Sequence, residues 1–184
     1  MIPLLLGLGG LGMAYYLYTV VLKYPEGEAK IKKIADEIHL GAMVFMRREI
    51  KMLLIFCAVV LVLLLVSLGW KTALAFVIGA VASSVAGWLG MFSATKANVR
   101  TTNAAHTEGA PQALTVAFFG GSIMGLCVAS LGLLGLGFLY LIFGGNPETA
   151  HAIHGFGVGA SSVALFYRVG GGIFTKSADV GADL

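Results

Sequence analysis

The sequence predicts an all-α, polytopic transmembrane helix bundle, and three observations carry that expectation. Hydrophobic residues make up 58% of the chain and charged residues only 11%, against roughly 25% charged in a soluble domain. The apolar residues gather into five runs, most of them reaching the roughly 20 residues that a helix needs to cross a hydrocarbon core. Within those runs glycine, alanine and serine recur at helical spacing, as they do where helix backbones approach closely in lipid. We therefore expect one transmembrane domain over 1–184, with spans at about 1–22, 52–68, 72–95, 113–143 and 152–169.

Residues 1–22 open without a basic segment or a small-residue cleavage site, so they read as a retained first span. Gly7, Gly9 and Gly12 spell G-x-G-x-x-G. No strand precedes them and no acidic residue follows at the dinucleotide-binding distance, so the match is a by-product of a glycine-rich span. The one extended polar segment, 23–51, sets Lys30, Lys32, Lys33, Asp36 and Glu37 against Ile31, Ile34, Ile38 and Phe45. This spacing predicts an amphipathic helix near the membrane surface or leading into the next span. Its charges, and His39 with them, read as a solvated face without chemistry.

The spans at 52–68 and 72–95 are joined by a tight turn at Gly69, Trp70 and Lys71, which makes them antiparallel. In the third span Gly79, Ser83, Gly87 and Gly90 fall nearly on one face, a stripe for close packing. Residues 96–112 read as a short polar connection ending at Pro111, with Asn98, Arg100 and Glu108 as candidate cytoplasmic contacts. The apolar run 113–143 is longer than a bilayer requires, so the fourth span is tilted or projects beyond it; Gly121 and Gly125 form a G-x-x-x-G within it. Residues 144–151 read as a turn. A fifth span at 152–169 then continues through Gly170, Gly171 and Gly172 into a charged end. His151 and His154, three apart, read as interfacial residues. Cys57 and Cys127 lie inside apolar runs, where a thiol behaves as a small hydrophobe.

Charge sets the orientation. Cytoplasmic loops retain Lys and Arg, and the first loop carries Lys23, Lys30, Lys32, Lys33, Arg47, Arg48 and Lys51. Lys96, Arg100, Arg168 and Lys176 fall on the same side of a five-span chain, and only Lys71 falls on the other. This puts the N-terminus outside and 168–184 in the cytoplasm. The net charge of +3 is then a matter of topology and calls for no nucleic acid.

The charged end is the candidate site. On a helix, Lys176, Asp179 and Asp183 stand at i, i+3 and i+7 and share a face. Two carboxylates a turn apart beside an ammonium suit a hard divalent cation next to a phosphate, and a diphosphate needs both cations and bridging metal. The competing reading is of ordinary charges where a span leaves the bilayer, in a non-enzymatic multi-span transporter or assembly subunit. Such an anchor does not require a lysine and two aspartates on one face after a triple glycine.

The run R-V-G-G-G-I-F-T-K-S-A-D-V-G-A-D-L at 168–184 resembles, without a gap, the start of the pyrophosphate-binding segment of the membrane-bound, ion-pumping pyrophosphatases. The resemblance extends to Ala97-Asn98-Val99-Arg100-Thr101, to Gly120-Gly121-Ser122-Ile123-Met124-Gly125 and to Pro25-Glu26-Gly27. It covers the whole chain but only about the N-terminal quarter of the family's length. It implies hydrolysis of Mg-diphosphate coupled to outward pumping of H+ or Na+, in a homodimer, with Mg2+ as cofactor and K+ as a further one in some members. In a bacterium it implies the inner membrane. By resemblance, Arg168 gates the junction between hydrolytic site and ion path, Lys176 contacts diphosphate, and Asp179 and Asp183 ligate Mg2+. The water-activating carboxylates are expected beyond residue 184, so these residues alone should not turn over. Ser177 stands where the family usually has alanine, a small change on the same helix.

Overall fold

The computed structural model describes residues 1–144 and 147–184, and in them the protein is five long helices. They are α1 (Ile2–Leu22), α2 (Ala29–Ser67), α3 (Trp70–Thr107), α4 (Ala110–Phe143) and α5 (Pro147–Asp183). Four of these, α1 to α4, are long and apolar enough to cross a membrane. In α5 the glycines and serines, His154 and Arg168 dilute the apolar run, and it is not among the four.

Two sequence expectations about boundaries change, and the polar segment at 23–51 takes the second of its two expected forms, leading into the next span. The polar segment and the second span are one continuous 39-residue helix, α2. The expected polar connection at 96–112 is mostly helix: α3 runs to Thr107 and α4 begins at Ala110, so only Glu108 and Gly109 link them. Polar residues do not end a helix when no proline interrupts it and a tertiary partner holds it. The expected turn at 144–151 shrinks likewise, because α5 begins at Pro147; Gly145 and Asn146 lie outside the described residues. Each of the four connections holds a glycine at positive φ, as at Gly69 (84°) and Gly109 (89°), a conformation that a side chain would strain.

Contacts fix the directions. Leu4 touches Gly137 and Leu134 touches Gly7, so α1 runs antiparallel to α4. Ala97 lies against Gly120 and Met124 against Gly90, so α4 runs antiparallel to α3. A Cβ at Gly155 would strike the Thr72 carbonyl, and one at Gly159 the Phe76 carbonyl, so α5 lies parallel to α3, backbone on backbone. The small-residue stripe expected on α3 is this seam: Gly79 faces Phe156 and Gly87 faces the Tyr167 ring. Gly121 and Gly125, by contrast, have nothing within 4 Å.

The core lies where these seams meet, in clusters around Ala14, Ala97 and Ile123, around Ala75, Leu139 and Phe156, and around Leu53, Ala80 and Val163. At one end a polar latch closes the bundle. Arg100, 5% exposed, donates from Nε to the Tyr24 carbonyl at 3.1 Å, from Nη1 to the Lys96 carbonyl at 2.7 Å and from Nη2 to Glu26 Oε1 at 2.9 Å. Lys32 meets the other Glu26 oxygen at 3.1 Å. The hydrogen bond from Lys32, with the charge of Arg100 and against some opposing burial, holds the Glu26 carboxyl below its ordinary range. A buried guanidinium with all these acceptors met is tolerated where an unpaired one is not. The solvated role expected for His39 is also corrected: its Nδ1 shares a 2.7 Å hydrogen bond with Thr95 Oγ1, and its ring meets Phe92 edge-on. The α1–α2 connection is thereby pinned to the C-terminal half of α3. Trp70 meets Phe143 at the opposite end, and α5, parallel to α3, carries its charged half toward the latch end.

Candidate functional site

The triple glycine does not break α5; the helix passes through Gly170, Gly171 and Gly172 to Asp183. Local bonds help it do so: Thr175 donates to the Gly171 and Gly172 carbonyls at 2.9 and 3.1 Å, and Ser177 to the Ile173 carbonyl at 2.9 Å. Stability here comes from one face only. Tyr167 donates to the Ser84 carbonyl at 3.4 Å, a weak bond, while its ring covers Gly87. The Phe174 ring lies 5.4 Å from that of Phe45, and Phe166 lies 5.0 Å from Phe56. Tyr167, Gly170 and Phe174 thus form the side clamped to α2 and α3.

The candidate site residues lie on the other side. At about 100° per residue, Arg168, Lys176, Asp179 and Asp183 fall within roughly 80° of one another, opposite the clamped face. Lys176 Nζ stands 3.7 Å from Asp179 Oδ2, with both side chains mostly exposed. An exposed pair at this distance is worth little to stability. Asp183 shares the face and is exposed. Arg168 makes no ion pair among the described residues. It lies about 12 Å from Lys176 along the axis, at 1.5 Å per residue. It lines the end of a groove of about 540 Å³ between α3, α4 and α5, whose walls include Ser83, Gly87, Met124 and Tyr167.

A metal fit follows from the donors. Among the described residues no group of three or more His, Cys, Asp or Glu side chains could hold an ion. Mg2+ does not ask for one: it keeps several waters and binds through one or two carboxylates plus substrate phosphates. Asp179 and Asp183 fit that role as a partial set. His151 and His154, with ring centres 6.2 Å apart, are a pair with no third ligand among the described residues.

A profile of the inorganic H+ pyrophosphatase family matches residues 8–184. The chain belongs to that family. Among relatives of this pyrophosphatase segment, a putative K+-stimulated pyrophosphate-energized sodium pump of Clostridium tetani is 50% identical over 98% of the chain. A K+-insensitive pyrophosphate-energized proton pump of Methanosarcina mazei is 43% identical, again over 98%. A K+-stimulated pyrophosphate-energized sodium pump of Thermotoga maritima is 40% identical over 98%. The chain spans 26% of the length of the first two and 27% of the third.

Sequence reasoning missed one residue of this pyrophosphatase segment. Glu49 on α2 keeps only 9% exposure and lies against Gly170 on the clamped face of α5. Of the apolar residues expected to share a face of α2, Ile31, Ile34, Ile38 and Phe45, Ile34 and Ile38 are exposed at 54% and 49%, while Ile31 and Phe45 are partly buried. The buried side is Ala42, Met46, Glu49 and Leu53, a spacing of four, three and four that was there to be counted.

Proposed function

We propose that this chain supplies the first five spans of a membrane pyrophosphatase that hydrolyses Mg-diphosphate to two phosphates and drives H+ or Na+ outward. The fifth span is the first half of α5. The orientation is N-terminus outside and substrate face cytoplasmic, in the inner membrane of a bacterium, with a homodimer as the working unit. The relatives' names divide between sodium and proton pumps and between K+-stimulated and K+-insensitive ones, so the reading is stated for either ion.

The observation that carries it is the two-sided α5: one face held by α2 and α3, and the opposite face carrying Arg168, Lys176, Asp179 and Asp183. A helix anchored at the back and charged at the front presents a fixed array to a ligand, which is what positioning of a phosphoryl group demands. Lys176 brings the ammonium that offsets diphosphate charge. Asp179 and Asp183 would hold Mg2+, which would supply positive charge against the phosphates of the substrate. Arg168, two turns nearer the groove, stands between that array and the membrane interior, and we assign it the gate between hydrolysis and transport. Other carboxylates of the whole protein activate the water.

The test is made in the full-length enzyme. Asp179→Asn and Asp183→Asn keep size and an oxygen but remove the charge that attracts the cation, and each lowers Mg2+-dependent hydrolysis tenfold or more, about 1.4 kcal/mol. Ser177→Ala, on the far side of the helix, leaves it near the parent rate. If both asparagine variants hydrolyse diphosphate at full rate, the face is only solvated and the assignment fails.

A further inference from the structure

Glu49 occupies a place that stability does not explain. Its Oε2 is buried and has no hydrogen-bond partner among the described residues. A buried unpartnered carboxyl oxygen costs stability, whereas a leucine of similar reach buries comparable surface without that cost. Such a group in a native structure calls for a reason. What it touches is α5: a Cβ at Gly170 would collide with Glu49 Oε1 and lie 2.9 Å from both Glu49 Cδ and Phe45 Cζ. The carboxyl therefore reaches the α5 backbone only because Gly170 is bare. Gly171 and Gly172 have nothing within 4 Å, so of the three glycines Gly170 alone admits a neighbouring helix. The aromatic contacts Phe45 with Phe174 and Phe56 with Phe166 bracket this point on both sides.

We infer that Glu49 is a positioning residue for α5: its carboxyl, seated on the bare backbone of Gly170, sets the height and rotation at which the opposite face presents Lys176, Asp179 and Asp183. The inference rests on the reading of that face as the diphosphate site. Leverage makes it matter. From Gly170 to Asp183 the helix rises about 20 Å, so a tilt of about 5° at the contact moves the far carboxylate by roughly 2 Å. A misplacement of that size far from the chemistry is enough to impair a positioned site.

The experiment uses the full-length protein and measures KM for Mg-diphosphate, kcat and thermal midpoint together. Glu49→Ala and Gly170→Ala each raise KM about fivefold or more while the midpoint stays within a few degrees, and Glu49→Gln, which keeps the size, raises it less. The double variant Glu49→Ala with Gly170→Ala lies closer to the parent than Gly170→Ala alone, because the new methyl enters the space the carboxyl left. KM within about twofold of the parent in both single variants, or losses that simply multiply in the double, overturns the inference. Lys176→Ala in the same series separates the two claims. If it raises KM while the Glu49 and Gly170 variants do not, only the positioning role is wrong. If it leaves KM untouched, the α5 face is not the site and both readings fall.

Discussion

Arg168 shows how a single charge acquires meaning from its depth. It stands one residue after Tyr167, whose ring is fixed on Gly87, and two residues before the glycine that Glu49 touches. A cation at this level must be paired or face a polar cavity, because exposing it to lipid costs at least about 2.5 kcal/mol at mid-bilayer. It borders the groove between α3, α4 and α5, where Ser83, Ser161 and Tyr167 interrupt a largely apolar lining. In reconstituted vesicles of the full-length protein, Arg168→Ala is expected to reduce ions moved per diphosphate hydrolysed, so that transport suffers more than hydrolysis. An unchanged ratio would remove the gate from Arg168 and leave it a structural cation. Residues of this kind were legible in the sequence because charge is rare in apolar surroundings. Glu49 was not, since a lone carboxylate in a basic polar segment looks solvated until a neighbouring helix is seen to cover it.

At the scale of the element, α3 is the member that everything else uses. It packs on α4 along one side and on α5 along the other, and its C-terminal half receives the α1–α2 connection through Arg100. Its contact with α5 is unusually close because the meeting residues are glycines: Gly79 against the Phe156 carbonyl, Gly155 against the Thr72 carbonyl and Gly159 against the Phe76 carbonyl. In lipid, where apolar surface gains nothing by leaving the solvent, such close dispersion contact is what associates helices. Gly79→Leu is therefore expected to force α3 and α5 apart at a cost of about 1–3 kcal/mol, read as a lowered thermal midpoint in detergent. Gly9→Ala, where a Cβ meets nothing within 4 Å, should not lower it. Equal midpoints for the two variants would mean that the seam is not where α5 gets its stability.

At the scale of the molecule, the ends sort by charge. The α1–α2 connection, the C-terminal half of α3 and the charged half of α5 gather at one end, and the Trp70–Phe143 contact marks the other, beside Lys71. In the proposed orientation that basic end lies in the cytoplasm, since cytoplasmic loops retain Lys and Arg. A cysteine at Lys71, which is exposed, is expected to react with an impermeant thiol reagent applied outside intact cells, and one at Glu108 is expected to react only after permeabilisation. Reversed labelling would turn the bundle over and take the substrate face out of the cytoplasm.

By itself the sequence determined the class, the polarity bias and the face shared by Lys176, Asp179 and Asp183. Each of these depends on composition or on spacing along one helix, and a period of 3.6 residues is a local property. The tertiary structure decided where helices end and which sides they bury. Thr107 stays helical because α3 continues along α2 and the α1–α2 connection, and Glu49 is buried because Gly170 of a distant segment lets α5 close on it. Those outcomes depend on contacts between residues far apart in the chain, and no window of sequence contains both partners.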